Sequence, residues 1–173
     1  MFAGKSTEML RRVRKHEITG KKILTVKFSA DNRYEDGQIC THEGQTRSAT
    51  EVVTLDSLGD DWKDFDCIGI DEGQFFPDIV EFSEKAANEG KIVIISSLGG
   101  TFLRGPFTRI LELIPKCEKI KKLAAICKLC KQSASFTFRT ASKNDQSMIG
   151  GAEKYMPVCR ECHYVQTQLN RGG

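Results

Sequence analysis

The chain lacks any stretch long and apolar enough to cross a bilayer: a run such as Ile92-Val93-Ile94-Ile95 reaches strand length at most. It also lacks a strong charge of either sign. Across its 173 residues, 26 Lys and Arg stand against 23 Asp and Glu, a net charge of +3. A dedicated nucleic-acid binder normally carries a much larger basic excess, so neither a nucleic-acid partner nor a membrane is expected. No secretory pattern of charged, apolar and small residues opens the sequence. Cysteine, by contrast, is plentiful at seven residues, and four of these form two Cys-x-x-Cys pairs near the end. Such pairs point to metal ligation rather than disulfides, and so to a reducing compartment, the cytosol.

The opening residues carry the working end of a phosphate-binding loop. Gly4-Lys5-Ser6-Thr7 supplies a glycine for close backbone approach, a lysine for the β/γ-phosphates and a hydroxyl for Mg²⁺. Met9, Leu10 and Val13 follow at helical spacing with Arg11, Arg12, Arg14 and Lys15 on the other face, and Gly20 closes the helix. A loop that opens a helix turns free amides toward an anion. Lys22 to Phe28 reads as a strand. Asp31-Asn32-Arg33 lies just beyond it, where a polar turn is the simpler explanation than a phosphate contact. Residues 35–54 read as a loop or hairpin excursion.

A second buried strand, Cys67-Ile68-Gly69-Ile70, ends abruptly in Asp71-Glu72-Gly73-Gln74-Phe75-Phe76. Continuous apolar residues mark a parallel strand covered on both faces, and ligands bind beyond the carboxyl ends of such strands. Asp78-x-x-Glu81 has the form of a capping box, Ile79, Val80, Phe82 and Ala86 give an apolar stripe, and Gly90 is a stop. Lys91 to Leu98 predicts another strand with a turn at Gly99 to Phe102. Ile110, Leu111 and Ile114 predict a short helix halted by Pro115, and Ile120 to Ile126 a last strand of the same layer. The alternation predicts an α/β fold, a parallel sheet flanked by helices.

Cys127-x-x-Cys130 and Cys159-x-x-Cys162 supply four thiolates for a tetrahedral Zn²⁺. Four sulfurs leave no open coordination position, so this metal is expected to be structural, and His163 is superfluous as a ligand. The expected domains are 1–126, a nucleotide-binding α/β domain, and 127–173, stapled by zinc.

Asp71 suits the role of holding Mg²⁺ together with Ser6 against ATP phosphates. Glu72, one residue on, either orients water, as in an ATPase, or accepts the proton of a substrate hydroxyl, as in a kinase. Phe75, Phe76, Leu98, Phe102, Phe107 and Tyr155 could wall a pocket for a flat ring, although isolated aromatics are more often core.

Lys5-Ser6-Thr7-Glu8, Ile70-Asp71-Glu72-Gly73-Gln74-Phe75-Phe76, Gly100-Thr101-Phe102, Gly150-Gly151-Ala152-Glu153-Lys154-Tyr155 and both cysteine pairs together resemble the cytosolic, type II thymidine kinase family. The resemblance implies transfer of the ATP γ-phosphate to the 5′-hydroxyl of thymidine. On that likeness Met1, Phe2, Ala3, Gly4, Lys5, Ser6 and Thr7 form the phosphate loop. Asp31, Asn32 and Arg33 stand near the phosphates, with Arg33 stabilising the moving phosphoryl. Asp71, Glu72, Gly73 and Gln74 complete the phosphate side, with Glu72 the general base. Phe75, Leu98, Phe102, Phe107, Thr137 and Tyr155 line the thymine site, and Gln146, Ser147, Met148, Ile149 and Gly150 belong to a lasso loop within a small zinc-ribbon-like subdomain. The likeness further implies a homotetramer and feedback inhibition by dTTP.

Two departures accompany it. The front of the phosphate loop and the strand before it are missing, so a central sheet position is expected to stand empty and the chain as given not to form a normal active enzyme, its numbering starting inside a longer protein or the chain being truncated. Gly99 also stands where the family commonly has an acidic residue. The rival readings are a simple ATPase and a zinc-ribbon nucleic-acid-binding regulator, the latter resting on Lys116, Lys119, Lys121 and Lys122.

Overall fold

The computed structural model describes residues 2–29, 38–40, 46–140 and 154–169. They fall into two compact units: Gly4–Gly99 with Pro106–Ile120, and the described parts of Met1–Ala3, Gly100–Gly105 and Lys121–Gly173.

The first unit begins with helix α1 (Lys5–Ile18), whose N-cap Gly4 has φ 70° and so adopts a left-handed conformation that favours glycine. Glu8 in its first turn and Lys15 and His16 in its last complement the helix dipole. Strand β1 (Ile23–Phe28) follows. Next, β2 (Gln38–Cys40) and β3 (Thr46–Ser48) pair antiparallel, giving the expected hairpin. Strand β4 (Thr50–Val52) lies in the same stretch but joins the main sheet beside β1, which the polar sequence there did not announce. Strand β5 (Cys67–Ile70), helix α2 (Ile79–Asn88), strand β6 (Ile92–Ile95) and helix α3 (Thr108–Leu113) complete the unit.

All pairings in the sheet β4-β1-β5-β6 are parallel, with Val26 opposite Ile70 and Ile70 opposite Ile95. Strand alternation divides its residues between two cores. Leu24, Val26, Ile68 and Ile70 pack with Ile79, Val80, Phe82 and Ala86 of α2, closed off by Leu55, Leu58 and Trp62 from short 3-10 turns. On the opposite face Met9, Leu10 and Val13 of α1 pack with Ile39, Ile23 and Ile94. Gly69 lets α1 approach: a Cβ there would lie 2.9 Å from Val13 Cγ2 and 3.3 Å from Thr25 Cγ2. The four strands run without an internal gap. Among the described residues β6 pairs only with β5, and all four of its apolar residues are half-buried.

Two local expectations are corrected, and the stop at Pro115 is refined. Asp78 makes no side-chain cap bond. Its Oδ2 accepts the backbone N–H of Asp56 at 2.8 Å, while Glu81 pairs with Arg109, so no capping box forms. Pro115 does not simply stop α3 but sits inside a 3-10 turn, Ile114–Lys116, where its missing N–H is harmless. Ile120 to Ile126 is not a last strand of the parallel layer. Only Ala125–Ile126 is extended and paired, antiparallel and in the second unit, because the two adjacent lysines at 121 and 122 leave no continuous apolar face to bury.

The second unit holds β7 (Ala125–Ile126) paired with β8 (Ser133–Ala134), β9 (Phe136–Arg139) paired with β10 (Tyr155–Val158), and helix α4 (Arg160–Leu169). Its core is small: Ala125, Cys127, Ala134, Phe138, Met156 and Val158, with Phe2 and Ala3 packed against it. No helix among the described residues is long and apolar enough to cross a membrane.

Gly69→Ala is expected to destabilise the chain by about 1–3 kcal/mol through overpacking. Adding Val13→Ala should recover part of that loss, a non-additivity that denaturant melts of the two single variants and the double variant would measure.

Candidate functional site

At the carboxyl end of β5, two adjacent carboxylates are nearly removed from water: Asp71 and Glu72 are each 7% exposed. The backbone fixes them first. The Asp71 N–H donates to Val26 O at 2.9 Å and the Gly73 N–H to Ser96 O at 2.9 Å, tying the turn to the strands on either side. Glu72 itself has φ 52° and ψ 44°, a left-handed conformation uncommon outside glycine that gives its side chain a different heading from a regular strand continuation. Gly73 cannot carry a side chain, since a Cβ would come within 2.6 Å of Ile95 Cγ2.

The two carboxylates have different partners. Asp71 accepts from the Ser6 hydroxyl at 3.0 and 2.9 Å and from the Ser96 hydroxyl. Glu72 Oε2 accepts from the Gln74 amide, whose own Oε1 accepts the Leu98 N–H at 2.9 Å. Burial, and then the charge of Glu72, pushes the Asp71 carboxyl above the usual range, while the Ser96 and Ser6 hydroxyls and the Lys5 ammonium pull it back. A buried carboxylate beside a hydroxyl and a lysine at a helix N-terminus is a ready site for a divalent cation carrying phosphates.

Gly4, Lys5, Ser6, Thr7, Asp71, Glu72, Gly73 and Gln74 all fall in the sheet unit, as do Phe75, Leu98 and Phe107. Phe75 stacks on Phe28 with ring centroids 5.5 Å apart, whereas Phe76 is core at 1% exposure. Leu98 and Phe107 are half-buried. Gly99 is exposed and its carbonyl accepts the Phe107 N–H at 3.4 Å. Phe2 and Ala3 belong instead to the second unit, where they pack on its core. Met1, Asp31, Asn32, Arg33, Gln146, Ser147, Met148, Ile149 and Gly150 lie outside the described residues.

Within the second unit, Phe102 and Tyr155 rings stand 6.2 Å apart, and the Arg139 guanidinium lies 5.2 Å from the Phe102 ring centroid. Thr137 is half-buried on β9. The four cysteine sulfurs of Cys127, Cys130, Cys159 and Cys162 lie within 4.8 Å of one another, with Cys130 and Cys159 at 3.5 Å. Tetrahedral Zn²⁺ with Zn–S bonds of about 2.3 Å spaces its sulfurs by about 3.8 Å, so the donor set fits. Burial pushes the Cys127 thiol up, but the backbone amides of Cys130, Cys159 and Leu129 outweigh it and bring it down to about 6. Cys162 is pushed up to about 12, first by the neighbouring Cys159 thiol and then by burial, with Cys127 among the lesser causes. One thiolate is thus favoured and another resisted, and a bound cation would favour the ionised form of all four. His163 is not part of the set: Nε2 lies 3.3 Å from the Phe102 carbonyl and the ring packs on Phe136 and Phe138.

Sequence reasoning missed Ser96 and Arg139. Ser96 had a signal, a polar residue at the carboxyl end of the strand next to β5. Arg139 had none, for only the structure shows its Nε and Nη2 buried without a hydrogen-bond partner.

A family model described as thymidine kinase matches residues 1–163. Relatives include the thymidine kinase of monkeypox virus, 51% identical over 163 residues that span 94% of this chain and 92% of that one. Those of vaccinia virus strain Ankara and of variola virus are each 50% identical over the same shares.

Because the Asp71 carboxyl is raised in the fold, the protonated form is the one the fold favours. Stability linked to it is fully present below the unfolded carboxylate range and is lost as pH rises through the folded value. Asp71→Asn is therefore expected to melt at a higher temperature than wild type at neutral pH. The gap should close as pH falls toward about 4, where unfolded carboxylates protonate; a calorimetric pH series reads it directly.

Proposed function

The chain belongs to the thymidine kinase family, and from that membership we propose how its residues carry out the transfer of the ATP γ-phosphate to thymidine. It is a phosphotransferase of nucleotide salvage. The observation that carries the assignment of roles is the split at the end of β5, where Asp71 is held by Ser6 and Ser96 and Glu72 separately by Gln74.

Lys5, Ser6 and Thr7, at the start of α1, receive the phosphates of ATP. Ser6 and Asp71 would hold Mg²⁺, which when bound would offset charge on the ATP phosphates. The thymidine 5′-oxygen forms its bond to the γ-phosphorus as the bond from that phosphorus to the β-bridging oxygen breaks, and ADP leaves. Glu72 accepts the hydroxyl proton as this happens. A sugar hydroxyl is far too weak an acid to ionise beforehand, so the base acts during transfer, and such a base contributes about 10²–10⁴-fold. Low exposure of both carboxylates keeps competing water from the base, which favours transfer over hydrolysis. Family likeness assigns Phe75, Leu98, Phe102, Phe107, Thr137, Tyr155 and the 146–150 segment to nucleoside binding, and Arg33 to stabilising the moving phosphoryl. The same likeness supports feedback by dTTP, a homotetramer and a cytosolic location as further parts of this reading. Zn²⁺ is held by Cys127, Cys130, Cys159 and Cys162 and is structural, since four thiolates leave no position for substrate.

Labelled ATP incubated with thymidine, uridine or no nucleoside tests the reaction. Thymidine-dependent labelled monophosphate is expected, whereas free phosphate released equally in all three would favour the ATPase reading. Glu72→Gln should lower kcat by about 10²–10⁴-fold while a non-hydrolysable ATP analogue still binds, and wild-type turnover in that variant would remove Glu72 from the role of base.

Chelation or Cys162→Ser should release about one zinc per chain. The core of Ala125, Phe138, Met156 and Val158 should then open to protease. An unchanged digestion pattern after the metal is gone would count against a structural role.

A further inference from the structure

We propose that Gln74 is the positioning residue for the general base, clamping the Glu72 carboxylate to the main chain beyond β6; this rests on the reading of Glu72 as base given above. Gln74 Nε2 donates to Glu72 Oε2, and Gln74 Oε1 accepts the Leu98 N–H at 2.9 Å. The orientation of the amide follows from chemistry. A backbone N–H can only donate and an ionised carboxylate can only accept, so the oxygen must face Leu98 and the NH₂ must face Glu72. A flipped amide would set donor against donor and acceptor against acceptor.

The clamp is short and braced. Gly73–Phe75 form a 3-10 turn in which Phe75 N–H donates to Glu72 O at 3.1 Å, and the Gly73 N–H is bound to Ser96 O. Gln74 therefore starts from a fixed backbone, spans to a second fixed backbone at Leu98, and holds the carboxylate between them. The segment from Ser96 to Leu98 thus serves both acids, Asp71 through the Ser96 hydroxyl and Glu72 through Gln74. With both ends of its amide engaged by protein, Gln74 acts through Glu72, in place of the phosphate contact that family likeness implies for it.

The position must accept from the Leu98 N–H and donate to Glu72, which glutamine does and an ionised glutamate cannot, and this separates positioning from scaffolding. Gln74→Glu keeps an oxygen for the Leu98 N–H but sets an oxygen against Glu72; Gln74→Met removes both bonds at similar volume. Both variants are expected to lose kcat by about 10- to 100-fold, the cost of a base misplaced by about 1 Å. Their KM for ATP should stay within about twofold. In a Glu72→Gln background, Gln74→Met should produce no further fall in kcat, because its effect passes through the missing base.

A Gln74→Glu protein with wild-type kcat beside a slow Gln74→Met would reduce the contact to a structural tether and overturn the proposal. So would a further fall in the Glu72→Gln background, or a loss of ATP affinity in step with kcat. If wild type itself releases phosphate without thymidine, the kinase reading fails, yet the same variants still report on Gln74 through the hydrolysis rate, which should fall as kcat was expected to.

Discussion

Keeping Asp71 and Glu72 side by side at about a tenth exposure or less is the constraint on which the sheet unit depends. Two carboxylates in so little water sit uneasily together, and burial followed by the charge of Glu72 pushes the Asp71 carboxyl upward. The surrounding structure answers that resistance from three directions. The first turn of α1 brings the Ser6 hydroxyl and the Lys5 charge, the end of β6 brings the Ser96 hydroxyl, and the 3-10 turn brings the Gln74 amide. None of these could arrive without close packing beneath them. Gly69 admits α1 against β5, and Gly73 admits the turn against Ile95. The site is accordingly less stable than an apolar plug of the same shape would be, and on the function proposed above a cation with phosphates would relieve it.

Much of this was legible in the residues. Cys67 to Ile70 read as a buried parallel strand because all four residues are apolar or small, and Asp71 stood out as the point where that run stops. The helix from Lys5 to Ile18 was readable from Met9, Leu10 and Val13, which are indeed its buried residues. Other features depended on partners far away in the chain. Asp78 had the local form of a cap, but the Asp56 N–H, offered by a distant turn, took its carboxylate. Strand β4 was invisible because Thr50, Glu51 and Val52 have no run of apolar residues. Their place is set by pairing with β1, where Glu51 meets the buried Lys27 at 2.7 Å. The role of Ser96 likewise exists only once β6 lies beside β5.

The second unit follows a different logic. Its core holds few large apolar side chains, and Cys127 is a member of that core as well as of the four-cysteine cluster that fits a metal. Apolar burial alone is a thin basis for so small a fold, so the thiolate cluster and the hydrophobic cluster support each other. The ring of His163, set between Phe136 and Phe138 with its nitrogens toward the Phe102 carbonyl and Thr167, fills space that a metal ligand would have had to leave.

The two cysteine pairs also bracket residues 131–158. Once both ends are pinned at one point, lengthening the chain between them is thermodynamically mild: closure entropy grows only with the logarithm of length, and doubling a flexible segment costs about 0.6 kcal/mol. What such pinning relaxes is the length of the enclosed chain rather than its composition, since Ala134, Phe138, Met156 and Val158 lie within it and are committed to the core.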